Sequence, residues 1–146
     1  MKKTLLCLLL APAFAALATP ATAHAETAYF SMVNVRPGTL PHEFIFAATD
    51  PATIATLREE ILTGTVFKPL LISGRIERGR KPYNAEWNFH YVPETVATAA
   101  SQVEVCDSDV FEIEDRIETV GGAFLPGNIW CPWSMRLVRE VLPIQR

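Results

Sequence analysis

Residues 1–25 constrain this chain most, because they decide how much polypeptide, and which cysteines, are left to fold. Lys2 and Lys3 precede an apolar run, Leu5 to Leu10, and small residues lead to Ala23-His24-Ala25. A basic start, a short apolar core and an A-x-A end are the parts of a secretory signal peptide. Cleavage after Ala25 then leaves 121 of the 146 residues, beginning at Glu26, as one domain. An uncleaved anchor fits poorly, since Pro12 and Pro20 interrupt a segment already short for a membrane span. A lipid-modified Cys7 fits worse, because Leu5-Leu6 stand where small residues are needed and the apolar run continues beyond the cysteine. The expected location is therefore secreted or periplasmic, with no membrane contact after signal cleavage.

Export sets the redox chemistry. Cys7 leaves with the signal, and Cys106 and Cys131 remain in an oxidising compartment, enclosing a 26-residue segment. No CxxC pair, third cysteine or histidine at zinc-ligand spacing accompanies them, so a structural disulfide is the expectation. A catalytic or metal-binding thiol pair is the alternative. Without Lys2 and Lys3 the formal net charge of −3 becomes −5, which offers no field for nucleic acid. The basic cluster Arg75, Arg78, Arg80 and Lys81 reads either as a site for an acidic ligand or as a solvated hairpin tip.

Hydrophobic periodicity places the elements. Ala28–Val35 and His42–Ala48 read as strands, the first closed by Arg36-Pro37-Gly38 and the second alternating Phe44 and Phe46 against Glu43 and Ile45. A helix follows, capped by Asp50, opened by Pro51 and stopped by Gly64, with Ile54, Leu57 and Ile61 as its buried stripe. Leu70–Glu77 and Glu86–Val92 read as an antiparallel hairpin. In the second of these strands Trp87, Phe89 and Tyr91 share one face, and Asn88 and His90 the other. A short helix from Pro93 to Ser101 and an extended Val103–Cys106 come next. Asp109 and Glu112 then suggest a capping box for a helix whose stripe is Val110, Ile113, Ile117 and Val120, ended by Gly121-Gly122. A loop, Ala123–Trp133, and a strand, Met135–Val141, finish the chain. The expected fold is α+β: one domain, mainly an antiparallel sheet of about five strands with two to three helices on one face, and one disulfide.

Catalytic signatures are sparse. No GxSxG or HExxH motif occurs, and the mature chain holds only His42 and His90. His90 with Glu86 is the one conceivable acid–base pair, set against a hydrogen-bonded structural histidine; His42 beside Glu43 is weaker. The acidic run Asp107, Asp109, Glu112, Glu114, Asp115 and Glu118 lacks the glycine of a calcium loop and reads as helix N-terminal charge. No cofactor or metal is expected. The segment Gly121–Trp133, rich in Gly, Pro and Trp, reads either as a rigid binding loop or as the aromatic lid of the core.

His42 to Phe46, Thr49-Asp50-Pro51, Tyr83 to His90, Glu104 to Asp107 and Val120 to Trp133 occur here in an order that resembles a known family. It is the amino-terminal domain of the slime-mould cAMP-inducible prespore protein, with many small exported bacterial members. Met135 departs from the pattern, standing where a small polar residue is expected. The resemblance implies a single exported domain with paired cysteines and brings no catalytic set.

The leading functional expectation is a secreted or periplasmic, non-catalytic binding domain. Its ligand (glycan, protein or small molecule) is read by Asn84, Asn88, His90, Asn128 and Trp130. An inhibitor of secreted proteases is the second reading, and a hydrolase using His90 and Glu86 the third.

Overall fold

A computed structural model describes residues 26–35, 42–64 and 70–142. The signal peptide expected over residues 1–25 and the turn expected at Arg36-Pro37-Gly38 lie outside the described residues. Strand β1 (Ala28–Asn34) pairs antiparallel on one side with β2 (Glu43–Ala48) and on the other with β9 (Met135–Val141). Helix α1 (Pro51–Thr63) has the caps its sequence prescribes: Asp50 accepts from Thr53 N at 2.7 Å, and Gly64 N donates to Glu60 O at 2.9 Å. Its buried residues are Thr53, Ile54 and Leu57, with Ile61 partly buried against the core.

The second sheet is organised around β3 (Leu71–Arg78). β4 (Phe89–Tyr91) and β5 (Ala97–Ala99) pair antiparallel with its two ends, and β8 (Ile129–Trp130) with its middle. Between β4 and β5 the chain makes a 3-10 turn at Pro93–Thr95. Thr95 bridges that interruption, its Oγ1 accepting from Arg75 N at 2.9 Å, while Val92 N donates to Arg75 O at 2.8 Å. The helix expected from Pro93 to Ser101 is thus one 3-10 turn followed by a strand. Apolar Ala97 and Ala99 are worth more to the sheet as ladder residues than to a short isolated helix. Strand β4 is also shorter than the expected Glu86–Val92, for the hairpin turn extends through Asn88.

Helix α2 (Val110–Arg116) starts at Asp109, which accepts from Phe111 N, and continues as a 3-10 turn, Ile117–Thr119. Glu112 does not complete a capping box: its carboxylate takes hydrogen bonds from Ser108 Oγ and Arg116 instead. The expected extended Val103–Cys106 contains a 3-10 turn, Glu104–Cys106. The expected loop Ala123–Trp133 holds two short strands, β7 (Phe124–Pro126), parallel to β6 (Val120–Gly121), and β8. The fold is α+β, with nine strands among the described residues in two principal sheets and one two-stranded pair.

The two sheets meet through aromatic rings. Phe44 of the first sheet lies 5.2 Å from Phe89, 5.9 Å from Tyr91 and 5.0 Å from Trp130 of the second, centroid to centroid. Tilted and edge-on pairs at such separations add stabilisation beyond their area burial. Close packing explains Gly74: a Cβ there would sit 2.9 Å from the Tyr91 ring. Met135, the departure from the family pattern, is 4 % exposed and belongs to this core. An apolar side chain suits that position.

Candidate functional site

The residues nominated from sequence do not form one exposed face. Trp130 is fully buried, packs on Phe44, Phe89 and Tyr91, and donates from Nε1 to Ser108 O at 3.0 Å. It is core, so an aromatic platform at Trp130 is not available to a ligand. Large apolar area beneath a long loop goes inward because removing it from water is worth a few kcal/mol, about 1.5–3. The disulfide secures that arrangement. Cys106 and Cys131 are paired with their Cα atoms 5.2 Å apart, and Cys131 N donates to Cys106 O at 2.8 Å. Trp133 N to Asp107 Oδ1, at 2.8 Å, fastens the same two segments.

Asn128 also serves the scaffold. Its N donates to Leu125 O at 2.9 Å, closing a turn with Pro126 second and Gly127 third, where φ is 66° and glycine is favoured. Its carbonyl accepts from Ile76 N at 2.8 Å, and its Nδ2 donates to Ile76 O at 3.3 Å. Asn84 is 3 % exposed, with Oδ1 accepting from Ile45 N at 3.0 Å and Nδ2 donating to Phe89 O at 3.2 Å. Together with Trp87 Nε1, which donates to Glu43 O at 2.9 Å, it closes the outer edge of β2 with side chains.

His90 is 6 % exposed, and its Nδ1 lies 2.7 Å from Gly79 O. A carbonyl only accepts, so Nδ1 carries the proton. Glu86 is exposed and makes no ion pair among the described residues, and no hydrogen bond joins it to His90. The acid–base pair is not assembled. Of the five nominated residues only Asn88 is exposed.

These buried polar groups have one joint consequence. They hold residues 79–88, the turn between β3 and β4, in a defined shape at the surface. Gly79 N donates to Asn88 O at 2.7 Å, Asn84 N to Lys81 O at 2.9 Å and Trp87 N to Asn84 O at 3.3 Å. Tyr83 packs on Tyr29 with centroids 5.0 Å apart, and burial, followed by Tyr29 and Glu94, pushes its phenol up to about 12. Arg80, Pro82, Ala85, Glu86 and Asn88 are exposed, and Lys81 is half-buried. Asn88 sits between the turn and α2: its N and Nδ2 both donate to Glu114, and its Oδ1 accepts from Arg80 at 3.0 Å. A scaffolded surface turn is the place where a small domain can present side chains with little ordering cost.

The acidic run is spent on structure. Asp107 accepts from Trp133 N, Asp109 caps α2 and accepts from Asn34 Nδ2 at 2.7 Å, and Glu118 pairs with Arg78 at 2.5 Å. Ser108, followed by Arg116, lowers the Glu112 carboxyl. Among the described residues no three His, Cys, Asp or Glu side chains converge to hold a metal ion, and no helix is long and apolar enough to cross a membrane.

Two networks escaped the sequence reading. Glu43 turns from His42 to accept from buried Ser31 and from Arg139. Arg58 bridges Glu26 and Glu140 beside an open depression of about 230 Å³ whose other walls are Ile61 and Leu62. The only signal for either was strand pairing, which brings Ser31 opposite Arg139 and β2 beside β1.

No curated protein and no solved structure matches the chain. One family model, that of the prespore-protein N-terminal domain, matches residues 26–143, a span that includes both cysteines, the surface turn and the Gly121–Trp133 segment. This agrees with the resemblance carried by Tyr83–His90 and Gly121–Trp133. With four-fifths of its length matched, the chain belongs to the prespore-protein N-terminal domain family.

Proposed function

We propose that this protein is a secreted or periplasmic recognition domain without catalytic activity, and that it presents the 79–88 turn to a partner. The observation that carries this reading is the use of Asn84, Trp87 and His90. Three residues able to serve a site are buried to hold an exposed turn. Pre-ordering lowers the entropy lost on docking. The signal-like residues 1–25, the Cys106–Cys131 pair and a family match that begins at Glu26 support export. Recognition of a protein is favoured over a sugar because the aromatic ring nominated for stacking, Trp130, is inside.

A photo-crosslinking residue at exposed Ala85, compared with one at exposed Ala97 on the far end of β3, tests this in exporting cells. A discrete adduct from Ala85 alone is expected. Adducts from both positions, or from neither, would remove the turn as the recognition surface.

A further inference from the structure

The described residues contain eight lysines and arginines, and their partners separate them sharply. Arg58, Arg75, Arg78, Arg116 and Arg139 each pair with a carboxylate, and Arg136 is satisfied by the carbonyls of Trp133 and Met135. Arg80 and Lys81 alone have no carboxylate within 4.0 Å among the described residues. They are neighbours, and they stand at the end of the pre-ordered turn. In a mature chain of net charge −5, intramolecular pairing has been available everywhere except here.

Arg80 is also aimed. Glu114 takes both the N and Nδ2 hydrogens of Asn88, leaving Asn88 Oδ1 free to accept from Arg80 Nη2 at 3.0 Å. A neutral amide orients the guanidinium without cancelling its charge. The remaining N–H groups keep the planar fork that matches a carboxylate with two parallel hydrogen bonds.

We infer that Arg80 and Lys81 bind an acidic segment of a partner protein, with Arg80 meeting a carboxylate directly and Asn88 acting as its positioning residue. The inference rests on the recognition reading above and names the partner's chemistry. A small acidic cluster suits the surroundings better than a long polyanion. The carboxylates of Glu114 and Glu118 are tied into the turn's base through Asn88 and Arg78, and Glu86 is exposed within it. A chain of repeated negative charges meets those groups as like charges, whereas one or two carboxylates reach the tip alone.

The test is an NMR titration of the disulfide-bonded mature domain with a blocked Gly-Asp-Glu-Gly peptide. A heparin tetrasaccharide and inorganic phosphate form the parallel arms. Saturable shifts at the amides of Arg80, Lys81 and Asn88 are expected with the peptide, and weaker ones with the other two anions. Arg80→Ala should weaken peptide binding about tenfold, as expected for loss of a charge-assisted pair. Arg80→Lys, which keeps the charge but not the fork, should fall between. Asn88→Ala should weaken binding in the native background and change nothing further in Arg80→Ala, which a purely structural role would not produce. Arg75→Ala, off the turn and paired with Glu77, should bind as the parent. No shifts at about 10 mM peptide, or stronger binding of heparin or phosphate, would overturn the inference. An Ala85 adduct that survives Arg80→Ala unchanged would refute the acidic partner while leaving the recognition surface intact.

Discussion

Replacing Trp130 by alanine separates a core residue from a binding residue by magnitude. The ring is fully buried, within 5.0–5.5 Å of the Phe44, Phe89 and Tyr91 centroids, and stacked on the last at an interplanar angle of 24°. Truncating a buried tryptophan costs about 3–5 kcal/mol in lost transfer energy and cavity. The indole also supplies the donor for Ser108 O, and leaving that carbonyl unpaired adds about 1 kcal/mol. Domains of this size have about 5–15 kcal/mol in total, so Trp130→Ala should remove a third or more of the stability. Trp130→Phe keeps most of the ring area but not the donor, and should cost about 1–3 kcal/mol. Urea unfolding followed by circular dichroism measures both, since far-ultraviolet signal does not depend on the deleted indole. A Trp130→Ala protein with its midpoint within about 1 kcal/mol of the parent, yet defective in binding, would show that the ring is not core.

Two further outcomes follow from particular contacts. Cys106→Ser and Cys131→Ser should each lower stability by about 3–4 kcal/mol, the value for closing a loop of this length, and the double variant should match either single one; additive losses in urea melts would contradict a single shared bond. The Glu43 carboxyl is lowered below the ordinary 4.5 first by Ser31, then by Arg139 against desolvation. A lowered carboxylate contributes its full stabilisation above that ordinary value and loses it as pH falls through the depressed one. Ser31→Ala should therefore flatten the acid limb of stability against pH, and an unchanged slope below pH 4.5 would refute the coupling.

The chain's own residues settled everything local. Asp50, Pro51 and Gly64 bound α1, the alternation of Phe44 and Phe46 set the face of β2, and Met135–Val141 is a strand at the bounds read from its residues. The paired cysteines and the family were equally legible, because both rest on residue identity in order. Where local preference was nearly balanced, long-range contacts decided. Ala97–Ala99 became a strand because β3 offered a free ladder edge, and the Ala123–Trp133 loop acquired β7 and β8 for the same reason. The site was least legible. A strand pattern assigns Asn88 and His90 to one face, but it cannot say that the chain turns at Gly79 and Asn88, burying His90 against a carbonyl while Asn88 stays in water. Which cations find a carboxylate is likewise a matter of residues far apart in the chain: Arg58 reaches Glu140, Arg139 reaches Glu43 and Arg78 reaches Glu118. Sequence determined that Arg80 and Lys81 carry charge; only the packing of β3, β4 and α2 left that charge without an internal partner.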